Sequence, residues 1–126
     1  MNTLEEPKYK TVLPEDVKVW VKAASVDDFP VNGGACVSYM DLQVAVFNFQ
    51  RRNEWHATQN LCPHKKQMIL ARGIIGSQEG EPKVACPYHK KTFSLKSGEN
   101  LNGSECELAT YPVKVEGGYV YVGFSE

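Results

Sequence analysis

Apolar and polar residues alternate along much of this chain, which is the pattern of strands with one buried face. Near the N-terminus, Val17, Val19 and Val21 alternate with Lys18, Trp20 and Lys22. The segments 35–40, 42–49 and 54–59 are rich in the β-branched and aromatic residues that favour strands. We therefore predict an all-β fold in which the second and third strands form a hairpin that turns at Asp41.

The last part of the chain carries the strongest hairpin signal. Residues 111–116 and 119–124 alternate in strand fashion on either side of Gly117 and Gly118, a pair that suits a tight turn. The middle of the chain, residues 61–99, has many turn residues and predicts few long strands. Within it, residues 76–82 (GSQEGEP) predict a polar loop, and a short helical turn is predicted near residues 65–72.

Length and charge narrow the class of protein. The chain has 126 residues, which is the size of one domain. We predict an N-terminal extension over residues 1–16 and the domain itself over residues 17–126. The formal net charge of −1 argues against a nucleic-acid partner. The sequence has no apolar run of membrane-spanning length and no export signal near its start, so we expect no membrane association and a cytoplasmic location.

Four residues in two short clusters are the candidate cofactor ligands. Cys62 and His64 lie in the run LCPHKK, and Cys86 and His89 lie in the run ACPYHKK. Two thiols and two imidazoles suit a [2Fe–2S] cluster in which two cysteines hold one iron and two histidines hold the other. Cys62 and Cys86 would then bind the inner iron, and His64 and His89 the outer one. The proline after each cysteine stiffens its loop.

Zinc is the alternative metal for these four residues, because a structural zinc ion also accepts two cysteines and two histidines. The single residue between Cys62 and His64 is a tighter spacing than paired zinc ligands usually have, which favours the iron–sulfur cluster. Cys36 and Cys106 lie outside both clusters, and we predict that they are ordinary buried or half-buried thiols. His56, on a predicted strand, is expected to be structural.

The two ligand runs, followed by Phe93 and by Ser97 and Gly98, resemble the Rieske [2Fe–2S] domain family over about residues 17–124. This resemblance implies small antiparallel sheets with the cluster held between two loops at one tip. It also implies electron transfer, with Cys62, His64, Cys86 and His89 as the cofactor-binding residues and no catalytic residue on the chain itself.

Within that family, the segment NLCPHKKQMILARGIIG is similar to the small subunits of assimilatory NAD(P)H nitrite reductases. That similarity implies a large partner subunit with flavin and sirohaem, reduction of nitrite to ammonium in nitrate assimilation, and a chain that is not catalytic alone. Two alternatives remain open. One is a free Rieske-type ferredoxin that donates electrons to a ring-hydroxylating oxygenase, and the other is a structural module that holds zinc or no metal.

Lysines occupy positions where many Rieske loops carry glycine. They are Lys65 and Lys66 in the first run and Lys90 and Lys91 in the second, and they are a candidate docking patch for an acidic partner surface. The respiratory type of Rieske protein has an additional disulfide between its loops. The nearby positions here are Gln67 and Tyr88, so this resemblance favours the ferredoxin-like type, with a lower potential.

Overall fold

The structure, a computed structural model, describes residues 9–40, 42–50, 53–62, 67–78, 80–87, 92–99, 101 and 107–125. Over these ranges the fold is all-β, as predicted, with only single turns of 3₁₀ helix. The strands are β1 Val19–Ser25, β2 Gly33–Tyr39, β3 Leu42–Phe49, β4 Glu54–Gln59, β5 Leu61–Cys62, β6 Gln67–Met68, β7 Ile74–Gln78, β8 Glu81–Ala85, β9 Thr92–Ser94, β10 Thr110–Tyr111, β11 Val113–Glu116 and β12 Tyr119–Phe124.

These strands form four antiparallel sheets. One sheet has the order β1-β12-β11, and a second has the order β10-β4-β3-β2. The other two sheets, β5-β6 and β7-β8-β9, carry the segments around the predicted ligands. We refer to the β10-β4-β3-β2 sheet as the central sheet, because strand β3 within it contributes to both hydrophobic cores.

Strand β3 contributes to both cores because successive side chains of a strand point to opposite faces. Val44 and Val46 lie in a core with Val120, Val122 and Phe124, which we call the framework core. The loop core lies on the other face, and its buried members are Ala45, Phe47, Phe49, Cys62, Ile69, Leu70, Val84, Cys86, Phe93, Leu95 and Leu108. The central sheet therefore separates a purely structural core from the core that contains both predicted cysteine ligands.

The predicted hairpins match the structure with one correction. Strands β2 and β3 pair as predicted, from Gly33 with Asn48 to Tyr39 with Leu42. The C-terminal hairpin also forms, but it begins at Val113. Tyr111 instead pairs with Ala57 in the central sheet. Pro112 marks the transfer between sheets, since it has no N–H for a ladder and its carbonyl accepts a hydrogen bond from the Gly123 N–H at 2.9 Å.

The predicted polar loop over residues 76–82 was wrong for most of its length. Strands β7 and β8 pair through Ser77 with Pro82 and Gln78 with Glu81, so most of the predicted loop belongs to a strand ladder. The proline suggested a loop because it cannot donate to a ladder. Pro82 needs only its carbonyl here, which accepts a hydrogen bond from the Leu95 N–H at 2.9 Å. The predicted helical turn near residues 65–72 is a single 3₁₀ turn, Leu70–Arg72, within the described part of that range.

The described part of the predicted N-terminal extension lies against the domain. Val12 is buried in the framework core, and its N–H donates to the Thr110 carbonyl at 2.9 Å. The Tyr9 hydroxyl accepts a hydrogen bond from the Gln43 N–H at 3.1 Å. These contacts attach the segment to the central sheet, while the predicted division at Val17 stays a prediction.

Candidate cofactor site

The first predicted cysteine ligand lies at the end of a very short hairpin. Cys62 is the last residue of β5, and it pairs with Gln67, the first residue of β6. Its side chain is fully buried in the loop core. His64 lies in the connection between these two paired residues and falls outside the described residues. The hairpin thus places the Cys62 sulfur in an apolar environment at the base of the predicted ligand loop.

The second predicted cysteine ligand has an equivalent position. Cys86 directly follows β8, and it is 1% exposed within the same core. Strands β8 and β9 close a hairpin with Ala85 opposite Thr92, so Cys86 begins the loop between them. His89 lies in that loop, outside the described residues. The two cysteines therefore occupy matching positions, each at the point where a paired strand ends and a predicted ligand loop begins.

The structure brings Cys62 and Cys86 into one buried core as thiols rather than as disulfides. Within the described ranges, no group of three or more histidine, cysteine or acidic residues converges as a metal site, and two of the four predicted ligands lie outside those ranges. Buried cysteine sulfurs fit an iron–sulfur cluster, because thiolates are its usual ligands and burial is one of the features that set its potential. The donor residues that the structure describes thus fit the predicted cofactor.

The turn after the second ligand loop is tightly hydrogen bonded. The hydroxyl of the fully buried Ser94 donates to the Glu81 carboxylate and accepts from the N–H groups of Lys96 and Ser97, each at 3.2 Å. The Gly98 N–H donates to the Ser94 carbonyl at 2.9 Å. These bonds fix the chain that follows β9. Ser97 and Gly98, the two residues singled out in the sequence, take part through their backbone N–H groups, and Ser94 is the shared partner.

Gly98 also lies in very close contact with the backbone of Leu108. Its φ is +80°, and a β-carbon at this position would lie 2.0 Å from the Leu108 carbonyl oxygen. In return, the Leu108 N–H donates to the Gly98 carbonyl at 2.8 Å. A residue with a side chain would be excluded by both the conformation and the contact. Gly98 therefore joins the turn after the second ligand loop to the segment that leads into β10.

Two buried amides next to the first ligand loop were not singled out in the sequence. Gln59 is 7% exposed and Asn60 is 3% exposed, and both side chains are hydrogen bonded at either end. They directly precede Leu61 and Cys62. The signal in the sequence was the Gln-Asn pair immediately before the run LCPHKK, where a strand pattern would favour apolar residues.

Cys36 differs from its prediction as a buried or half-buried thiol, because the structure has it exposed. It lines a cavity of about 330 Å³ together with Gln43, Asn60, Met68 and Arg72. Its thiol lies 3.6 Å from Gln43 Oε1, and partial burial raises its pKa. Cys106 and the four lysines of the predicted docking patch lie outside the described residues. The third histidine, His56, has its Nε2 atom 3.0 Å from Glu54 Oε1.

Comparison with known proteins identifies the family. Residues 19–123 match the family described as the Rieske-like [2Fe-2S] domain. The chain belongs to the Rieske-like [2Fe–2S] domain family. The cofactor that membership of this family assigns to it is a Rieske-type [2Fe–2S] cluster, as predicted.

Relatives within the Rieske-like family include proteins of two kinds. The small subunit of the NADH nitrite reductase of Escherichia coli K12 is 30% identical, over 80% of this chain and 94% of that protein. The ferredoxin subunit of biphenyl dioxygenase from a Pseudomonas strain is 34% identical, over 84% of this chain and 93% of that protein. The solution structure of the E. coli protein NirD superposes with a TM-score of 0.77, at 28% identity over 86% of this chain and 98% of NirD.

Longer relatives contain the same domain as a small part. A nitrite reductase [NAD(P)H] of Emericella nidulans and a nitrite reductase large subunit of Klebsiella oxytoca are each 34% identical over 82% of this chain. The chain spans 10% and 11% of these two proteins. A Rieske-like domain thus occurs both as a separate chain and as part of a long nitrite reductase polypeptide. Within its described residues, this chain contains no helix with the length and apolar character needed to cross a membrane.

Proposed function

We propose that this chain is the small subunit of an NAD(P)H-dependent nitrite reductase and that it carries electrons through a Rieske-type cluster. The observation that carries the proposal is the burial of Cys62 and Cys86 in one core, each at the start of a ligand loop. The similarity to a complete small subunit, over 94% of its length, supports the assignment to nitrite reductase.

We assign the cluster ligands as Cys62, Cys86, His64 and His89. The cysteines would hold the inner iron, because their sulfurs lie in the loop core and away from solvent. The histidines, one in each ligand loop, would hold the outer iron. When bound, such a cluster supplies one-electron transfer at a potential above that of an all-cysteine site. Cys62, Cys86, His64 and His89 would hold the cluster, and the apolar loop core would keep water away from the two cysteine sulfurs.

The proposed partner is a large subunit that carries flavin and sirohaem and reduces nitrite to ammonium. Support comes from the long relatives, in which a similar domain belongs to the same nitrite reductase polypeptide. This chain has no nucleotide-binding motif of its own, so we propose that it is not catalytic alone.

The test of the ligand assignment uses protein purified without oxygen. We expect about two iron atoms and two sulfides per chain, and an EPR spectrum of the reduced protein with the low average g-value of mixed cysteine and histidine ligation. Cys62→Ser and Cys86→Ser should each abolish this signal, whereas Cys36→Ser, which changes an exposed thiol, should retain it. A normal EPR signal in Cys62→Ser or in Cys86→Ser would contradict the assignment.

The test of the partner is affinity purification of the chain from a host that expresses the large subunit at its native level. We expect a stable complex that contains sirohaem and that reduces nitrite with NADH or NADPH. Removal of this chain should lower that activity. A large subunit that remains fully active and never associates with the chain would contradict the proposal.

A second candidate function is a free ferredoxin for a ring-hydroxylating oxygenase. The 34% identity to the biphenyl dioxygenase ferredoxin favours it. Such a carrier would bind its reductase and its oxygenase only transiently, and it would support aromatic hydroxylation in a mixture of the three components. Electron delivery to an oxygenase, without a stable nitrite reductase complex, would favour this function over the first.

A further inference from the structure

The Gln59 side chain connects the first ligand loop to the segment that leads into β10. Its Nε2 atom donates to the Leu61 carbonyl at 2.7 Å, one residue before Cys62. Its Oε1 atom accepts from the Ala109 N–H at 2.9 Å. Because one partner is a carbonyl and the other is an N–H group, the chemistry of the partners fixes the orientation of this amide.

The Asn60 residue connects the two ends of the same loop. Its carbonyl accepts from the N–H groups of Ile69 and Leu70 at 2.9 and 3.1 Å, just after the loop returns. Its Oδ1 atom accepts from the Ala71 N–H at 2.7 Å. Its Nδ2 atom faces the central sheet and donates to Gln43 Oε1 at 3.4 Å. Asn60 therefore holds the start of the loop, its return and the sheet in one arrangement.

We propose that Gln59 and Asn60 form an amide clamp that positions Cys62 for the cluster. This inference rests on the proposed assignment of Cys62 as a ligand. The hairpin that carries Cys62 has only two paired positions on each strand, Leu61 with Met68 and Cys62 with Gln67. So short a ladder is marginally stable alone. The two amides attach it to fixed segments on both sides, so that the Cys62 sulfur keeps its place when the cluster is absent.

Both amides are positioning residues, and their effect must be distinguished from general stabilisation. Buried amides contribute to the stability of any fold through satisfied hydrogen bonds. If the amides act as a clamp, a substitution that removes one of them should release the cluster faster than a distant substitution that lowers the free energy of unfolding by the same amount. Val122 of β12 offers a control, because it is 1% exposed in the framework core, which the central sheet separates from the loop core.

The experiment compares Gln59→Met, Asn60→Ala and Asn60→Asp with wild type and with Val122→Ala. Each protein is loaded with its cluster, and an iron chelator is added while the visible absorption is followed. We expect Gln59→Met and Asn60→Ala to lose the cluster about tenfold faster than wild type, the change that one lost buried hydrogen bond gives, and also faster than Val122→Ala. Asn60→Asp keeps the acceptor for the Ala71 N–H and should fall between wild type and Asn60→Ala.

Urea unfolding of the apo-proteins ranks the overall stability of the variants, and EPR of the reduced proteins reports the cluster environment. The g-values should shift in the clamp variants and stay unchanged in Val122→Ala. If Asn60→Ala does not fold, Asn60→Asp and Gln59→Met carry the same comparison. Cluster loss no faster than in Val122→Ala, with unshifted g-values, would overturn the clamp. A wild-type protein that binds no cluster would instead overturn the ligand assignment in the proposed function.

Discussion

Replacing Gly98 by alanine should destabilise the chain far more than the same change at another glycine with the same backbone conformation. Gly98 has φ +80°, and Gly118, in the turn between β11 and β12, has φ +83°. An added β-carbon would meet nothing within 4 Å at Gly118, but it would lie 2.0 Å from the Leu108 carbonyl oxygen at Gly98, where ordinary contact begins at 3.4 Å. The two substitutions therefore share the conformational cost and differ only in the contact.

The expected magnitudes follow from these two terms. Placing a residue with a side chain in the left-handed region costs about 1–2 kcal/mol, and this is the whole effect expected at Gly118. At Gly98, relief of the overlap adds about 1–3 kcal/mol. Moving Leu108 away also weakens its 2.8 Å hydrogen bond to the Gly98 carbonyl, for about 1 kcal/mol more. We expect Gly98→Ala to cost at least about 2 kcal/mol more than Gly118→Ala.

Urea unfolding of the two apo-variants, followed by tryptophan fluorescence, measures this difference directly. The linear dependence on urea gives the free energy of unfolding for each protein. Gly98→Ala should also weaken cluster binding, because Gly98 fixes the turn that follows the second ligand loop. Equal destabilisation by both substitutions would refute the reasoning, since it would mean that the Leu108 segment does not constrain this turn.

Three further outcomes are expected. Tyr111→Phe should leave stability unchanged or raise it by about 1 kcal/mol, because the buried Tyr111 hydroxyl has no well-oriented partner within the described residues. Burial and then the nearby Tyr9 phenol raise the pKa of Tyr111 above its ordinary 10.0. The backbone of Lys10 lowers this pKa by less, so the net change is a rise. The unfolded chain therefore ionises first, so wild-type stability should fall as the pH rises above 10.0, and less so in Tyr111→Phe. An equal alkaline loss in both proteins would contradict this. Iodoacetamide at pH about 8 should alkylate Cys36 more slowly than free cysteine, because partial desolvation of this thiol raises its pKa. Peptide mass spectrometry would measure the rate, and alkylation as fast as that of free cysteine would contradict this. Ile74→Lys should change the free energy of unfolding by less than about 0.5 kcal/mol, since Ile74 is 75% exposed. It should nevertheless weaken binding to the proposed large subunit, measured by co-purification, because this exposed apolar residue pairs with Ala85, the residue before Cys86; unchanged binding would exclude this contact.

The sequence was sufficient to predict the framework strands and the class of cofactor, for different reasons. Strand β3 and its neighbours could be predicted from residue type, because β-branched and aromatic residues favour a buried strand whichever face of the sheet they occupy. The cysteine and histidine runs were found because metal ligands need particular donor atoms at restricted spacings. Neither inference required knowledge of distant contacts.

The features that the sequence did not predict depend on contacts between segments far apart in the chain. Gln59 acquires its role through Ala109, which is 50 residues away. Pro82 is acceptable in a strand because Leu95 needs only its carbonyl. Cys36 is exposed because β2 is the outer strand of the central sheet, a position that its strand-like local pattern does not reveal.

The central sheet also explains how so small a loop region can hold a cofactor. Strands β5 to β9 have two to five residues each, too few to build an independent core. Their core is completed by Ala45, Phe47 and Phe49 from the face of β3 opposite the framework core. The short strands that flank the predicted ligand loops therefore pack against a sheet whose other face is buried in the framework core. The burial of Cys62 and Cys86, and the proposed amide clamp next to Cys62, both depend on this face of the central sheet.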